Sequence, residues 1–169
     1  SKGLTGGYLP LSAVLTTTPI YDAFYDDYGS GKAFLHSHSY TGNALACAVA
    51  LESLRRFDRE PVLEENREKA RWMREAVTGL DDHPHVAEIR QTGMILAIEL
   101  CQDKATRTPY PSTERRGLRV HREALRHSVL LRPLGNVVYF MPPYVINAKE
   151  IQQMADAAIA GIDLATREP

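Results

Sequence analysis

The chain has 169 residues, of which 44% are hydrophobic and 24% charged, enough apolar material to bury one large core or two small ones. With 20 basic residues dispersed among 21 acidic ones the net charge is -1, which argues against a dedicated nucleic-acid surface. No apolar run approaches the roughly 18–20 residues that span a bilayer and no charged-then-apolar leader is visible, so a cytoplasmic protein without membrane contact is expected.

The first residues, SKGLTGGYLPLSAVLTT, read as a glycine-rich turn feeding a buried strand over Leu11–Thr17. Thr18-Pro19 then opens a short helix, expected over Ile20–Asp27, because proline is tolerated in a helix's first turn. The stretch GSGKAFLHSHSYTGN, residues 29–43, lacks helical periodicity and reads as a loop with a brief strand at Ala33–Leu35. Ala44–Phe57 is apolar on almost every face, the pattern of a helix packed into a core, and Asn43 is placed to cap it.

Pro61–Leu80 is amphipathic, with Val62, Leu63, Ala70, Met73, Ala76, Val77 and Leu80 on the inner stripe and Trp72 as a packing residue. After Asp81–His85 the period changes to two, and VAEIRQTGMILAIEL predicts two strands joined near Thr92-Gly93. A helix over Ser112–His127 follows, then strands in VLLRPLG and VVYFMPP separated by Gly135-Asn136. Asn147 with Glu150 three residues later announces a final helix from Ala148 to about Thr166. Residues 60–169 therefore read as a compact α+β unit, distinct from residues 1–59. Cys47 and Cys101 stand alone in apolar runs without CxxC spacing, as small buried thiols do.

Three places carry candidate chemistry. Lys2 is flanked by Gly3, Gly6 and Gly7, so a planar aldehyde could approach the backbone and bond to the amine, although a solvated turn has the same composition. The loop His36–Asn43 sets Ser37, Ser39 and Thr41 before a helix N-terminus, where an anion such as phosphate is favoured; a merely solvated loop is the alternative. The pair His36 and His38 lacks a third ligand at a characteristic spacing, so no metal is expected. Arg132 lies in the apolar run VLLRPL, where a buried guanidinium needs a carboxylate, supplied by a substrate or by an internal Asp or Glu.

Taken together, SKGLTGGYLPLSAVLTT, HSHSYTGNALACAVALESL and LLRPLGNVVYFMPPYVI resemble the class III pyridoxal-phosphate-dependent aminotransferases, and among them the branch that acts in biotin synthesis. The resemblance runs from the first residue almost to the last. It implies an α/β fold, the fold type I PLP-dependent transferase architecture, present here as a C-terminal fragment. Residues 1–59 would be the end of the large cofactor domain and 60–169 the small C-terminal α+β domain.

It further implies that Lys2 forms the Schiff base with pyridoxal 5'-phosphate and shuttles the proton. Ser39, with His38 beside it, would reach the cofactor phosphate of the partner in a homodimer. Ser37 would lie close to substrate, and Arg132 would hold a keto-acid carboxylate. The reaction implied is amino transfer from S-adenosylmethionine or lysine to 8-amino-7-oxononanoate. Some relatives read Gly-Pro-Thr at Ser37-His38-Ser39, which leaves the donor open. The glycine-serine phosphate cup and the aspartate that pairs with the ring nitrogen are absent from the chain, so the fragment alone is expected to be inactive.

Overall fold

The computed structural model describes residues 1–167, which divide into two compact units, one of residues 1–61 and one that begins at Val62. Among the described residues no helix is long and apolar enough to cross a membrane.

The second unit is a two-layer α/β sandwich. Helices α3 (Val62–Ala76), α4 (Arg116–Arg126) and α5 (Ala148–Arg167) pack together and onto a sheet of β1 (Val86–Thr92), β2 (Ile95–Asp103), β3 (Thr108–Pro109), β4 (Arg132–Leu134) and β5 (Val137–Phe140). The strand order is β1-β2-β5-β4, all antiparallel, with β3 pairing separately on β2. Both hairpins fall where the period-two pattern breaks at glycine. Thr92 pairs with Ile95 around Gly93, which takes φ 53°, a conformation that side chains resist.

Alternation decides the faces. Leu96, Ile98 and Leu100 of β2 point to the helices and meet Val138 and Phe140 of β5, with Leu96 opposite Phe140 and Ile98 opposite Val138. Met73 and Val77 close the core from the α3 side, and Ile151, Ala155, Ala158 and Ile162 from α5. On the other sheet face Arg90 donates to Glu88 and Glu99, each at 2.5 Å, tying β1 to β2. Helix α5 comes close to α4 because position 161 is glycine: a Cβ there would lie 2.9 Å from Val120 Cγ1. Its capping box is formed as the spacing predicts, Asn147 Oδ1 accepting the Glu150 N–H at 3.0 Å and Glu150 Oε2 the Asn147 N–H at 2.9 Å.

The first unit departs further from expectation. It holds α1 (Thr18–Asp22), α2 (Ala44–Arg59) and 3-10 turns at Gly3–Thr5 and Tyr28–Ser30. Leu11–Thr17 is not a strand: it is unpaired, and Val14 and Leu15 are 93% and 95% exposed. A strand exists only through its ladder, and no segment of this unit supplies one. The brief strand expected at Ala33–Leu35 is missing for the same reason. Helix α1 stops at Asp22, five residues before the expected end. Beyond it the Asp26 carboxylate takes the Asp27 N–H at 2.8 Å and Lys32 Nζ at 2.5 Å, an alternative to helical bonding. Helix α2 is capped as expected, Ala46 N–H donating to Asn43 Oδ1 at 3.0 Å, but it is not enclosed. Ala46 and Ala50 are its buried residues, whereas Leu45, Leu51, Leu54 and Phe57 are exposed. Cys47 is accordingly half-buried and Cys101 fully buried.

Candidate functional site

The 3-10 turn Gly3–Thr5 is built by the glycine-rich sequence itself. Lys2 precedes it in helical conformation, and the Gly7 N–H donates back to the Lys2 carbonyl at 2.9 Å. Gly6 and Gly7, at φ 60° and 83°, reverse the chain at little conformational cost. Thr5 is buried, its hydroxyl donating to the Leu9 carbonyl at 2.5 Å, which fixes the turn against the chain that follows. Lys2 is left exposed at the turn's head.

The loop ahead of α2 is stapled by its own side chains. The His38 N–H donates to Thr41 Oγ1 at 3.1 Å, and the Thr41 N–H to the His38 carbonyl at 2.9 Å. The Tyr40 N–H donates to His38 Nδ1 at 3.1 Å. This turn delivers the chain to Asn43 and the start of α2, whose positive dipole end favours anions.

Turn and loop face one open concavity of about 910 Å³, within the first unit. Lys2, Gly7, Tyr8, His38, Thr41 and Asn43 are among its lining residues, and none of the lining residues is a carboxylate. The surroundings therefore suit an anion rather than a cation. No group of three or more metal-ligating side chains is found among the described residues.

Of the residues singled out from sequence, Lys2 and His38 line this concavity together. Ser37 and Ser39 are exposed members of the same loop and do not line it. Arg132 belongs to the second unit, where it stands in β4 opposite Tyr139 of β5. Burial was the reason for expecting a carboxylate beside it; instead Arg132 is exposed, and no carboxylate of the described residues pairs with it. The alternation explains this: Leu131 fills the core at 2% exposure and Arg132 points to the other face. Sequence reasoning missed Tyr8 as a lining residue and Thr41 as the clasp of the His38 turn. The Thr-Gly-Asn run before an apolar helix was the available signal for Thr41.

Comparison with known proteins bears on this arrangement. Residues 1–161 match the family described as Aminotransferase class-III. The adenosylmethionine-8-amino-7-oxononanoate aminotransferase of Geobacter sulfurreducens is 46% identical over 166 residues, which are 98% of this chain and 37% of that protein. The protein of the same name from Methanocaldococcus jannaschii is 42% identical over 161 residues, and a crystal structure of it superposes with a TM-score of 0.88, covering 95% of this chain and 37% of the other. An omega transaminase from Pseudomonas jessenii, solved in complex with PMP, superposes with a TM-score of 0.88 at 30% identity, covering 99% of this chain and 37% of that one. The chain thus spans little more than a third of the length of these relatives, and over that span it has their fold. It belongs to the class-III aminotransferase family.

Proposed function

We propose that this sequence is the C-terminal part of a pyridoxal-phosphate-dependent aminotransferase that converts 8-amino-7-oxononanoate to 7,8-diaminononanoate in biotin synthesis, as a cytoplasmic homodimer. The observation that carries the reading is Lys2, exposed at the head of a glycine-built turn on a carboxylate-free concavity, in a chain matched over residues 1–161 by the class-III aminotransferase family. Four relatives of the same printed name, at 42–47% identity, support the choice of substrate.

The residues present fit the cofactor in part. Lys2 is the one lysine lining the concavity and holds the cofactor covalently. His38 and Ser39 serve its phosphate across the dimer, helped by the N-terminal end of α2. Pyridoxal phosphate, when bound, supplies an electron-withdrawing ring that acidifies the substrate C–H. Lys2 Nζ moves that proton, Ser37 lies along the substrate, and Arg132 grips the keto-acid carboxylate with its planar fork. Exposure, with no ion-pair partner among the described residues, leaves the Arg132 guanidinium available for this role. No carboxylate lines the concavity to pair with the ring nitrogen, so the 169-residue chain alone has no turnover.

The test is turnover of the full-length protein with 8-amino-7-oxononanoate and either S-adenosylmethionine or lysine as donor. Diamine formation with one donor is expected. Activity with 4-aminobutyrate or ornithine and none with 8-amino-7-oxononanoate would instead favour a general ω-transaminase, the reading to which the likeness to the Pseudomonas jessenii enzyme points. A full-length protein that never acquires the visible absorbance of a lysine-bound pyridoxal would be a non-catalytic remnant of the fold.

A further inference from the structure

Strand pairing sets four side chains in a row across the open face of the sheet: Arg90 opposite Ala97, Ala97 opposite Tyr139, and Tyr139 opposite Arg132. The two arginines that end this row differ. Arg90 is satisfied, donating to Glu88 and Glu99, the glutamates of β1 and β2, at 2.5 Å each. The side chains of Arg132 and Tyr139 have no hydrogen bond or ion pair among the described residues. Both lie on the face away from the helices, because Leu131, Val138 and Phe140, which alternate with them, fill the core, and Pro133 lies against Gly117 of α4. Side chains directly opposed on antiparallel strands have Cβ atoms about 4.5–5.5 Å apart, so the phenol and the guanidinium are immediate neighbours.

Tyr139 is half-buried, yet its hydroxyl is not sealed from water. An O–H donor and the N–H fork of an arginine therefore stand side by side with their donor capacity unused. The surface around them is apolar: Leu134, 74% exposed, shares the face of Arg132, Val137 stands opposite Leu134, and Ala97 flanks Tyr139. Unused donors on an apolar surface suit an anion carried on an apolar chain. A carboxylate has about four lone-pair sites on its two oxygens, so an arginine fork that takes two of them leaves room for the phenol.

We infer that Tyr139 is a second carboxylate-binding residue: its O–H donates to the same substrate carboxylate that Arg132 grips, and the two together select a substrate ending in a carboxylate on an apolar chain. The inference rests on the proposed function for Arg132 as the anchor of the keto-acid. Because a hydrogen bond to a charged group outweighs one between neutral groups, removing the hydroxyl should weaken carboxylate binding by about tenfold or more. Tyr139→Phe keeps the ring and its packing and so isolates the hydroxyl.

The test compares the full-length protein as wild type, Tyr139→Phe, Arg132→Ala and the double variant. The calorimetric probes are nonanoate, which keeps the carboxylate chain of the proposed substrate, and the uncharged nonanamide. The wild type should bind nonanoate more tightly than nonanamide. Tyr139→Phe should lose about tenfold or more for nonanoate but less than about threefold for nonanamide, with an unchanged melting temperature. In the Arg132→Ala background the same change should cost nonanoate less than about threefold, since the carboxylate is no longer held against the phenol. Equal losses for the two probes, a loss independent of Arg132, or a lowered melting temperature with unaltered binding overturns the inference. In turnover, kcat/KM for 8-amino-7-oxononanoate should fall about tenfold in Tyr139→Phe through a raised KM, because ground and transition states share the carboxylate contact. A protein that discriminates nonanoate through Tyr139 but does not turn over 8-amino-7-oxononanoate keeps the carboxylate assignment and overturns the proposed function. Turnover by a wild type whose nonanoate binding is indifferent to Tyr139→Phe does the reverse.

Discussion

At the scale of single residues, Arg132 separates a structural role from a binding one. A buried arginine in an ion pair would be costly to truncate, about 3–5 kcal/mol. Arg132 is exposed with no carboxylate beside it among the described residues, so Arg132→Ala should change stability by less than about 0.5 kcal/mol. If it grips the keto-acid, the same substitution in the full-length enzyme lowers kcat/KM for 8-amino-7-oxononanoate by about 100-fold, the equivalent of a charge-assisted pair. Reaction with the amino donor should change far less. Thermal melting combined with separate half-reaction kinetics checks both; a large loss of stability with unaltered kinetics would return Arg132 to a structural role. The residue was conspicuous in the sequence, but its exposure was not legible there. An apolar run can be a strand buried on both faces or a strand with one open face, and only the packing of helices against the sheet decides between them.

At the scale of elements, periodicity served well where each element finds its partners nearby. The β1–β2 and β4–β5 hairpins, the α5 capping box and the α3 stripe all follow from local pattern, Leu63 excepted, which is 56% exposed at the first turn of α3. Strand β3 was invisible: two residues, one of them Pro109, carry no alternation. The close crossing of α4 and α5 makes Gly161→Ala a test of packing, since the added methyl would meet Val120 Cγ1 at 2.9 Å and Val120 O at 3.0 Å. Overpacking of this kind should destabilise by about 1–3 kcal/mol, read by urea denaturation. No change would mean that the two helices separate freely.

The turn before β1 adds a pH dependence. Burial pushes His83 below the ordinary imidazole value of 6.5, outweighing the pull of Asp163 on α5, with His85 and Lys104 acting in the same direction as burial. The folded state therefore binds fewer protons than the unfolded one just below pH 6.5. The His83 contribution to stability is fully present above that pH and is lost as the pH falls below it. His83→Asn should remove that part of the slope in denaturation curves taken from pH 8 to 5, and an unchanged slope would rule His83 out as its source.

At the scale of the whole molecule, the two units differ in self-sufficiency. The hydrophobic core from Met73 to Ala165 lies within the second unit, while in the first the buried apolar residues are Ala46 and Ala50. Residues 62–167 should therefore fold cooperatively as an isolated fragment, with dispersed amide resonances, and residues 1–61 should not. A first unit that melts cooperatively by itself would contradict this. The contrast also explains what sequence reading could reach. Unit two satisfies its own ladders and stripes, so pattern and structure agree. In unit one, Leu11–Thr17 and α2 carry the apolar pattern of enclosed elements without enclosing partners in the same unit. The candidate site residues stood out by their chemistry, a lysine among glycines and a polar loop before a helix. Their sharing one concavity was not legible, because it depends on the path of the chain between Lys2 and His38.

The proposed function stands or falls with Lys2 as the lysine that holds the cofactor. The most direct measurement is borohydride reduction of the full-length protein loaded with pyridoxal phosphate, followed by mass mapping of its peptides. A phosphopyridoxyl group is expected on the peptide that carries Lys2 and is absent in Lys2→Ala. A label on Lys32, Lys69, Lys104 or Lys149 in place of Lys2, or no label on any lysine, would contradict it.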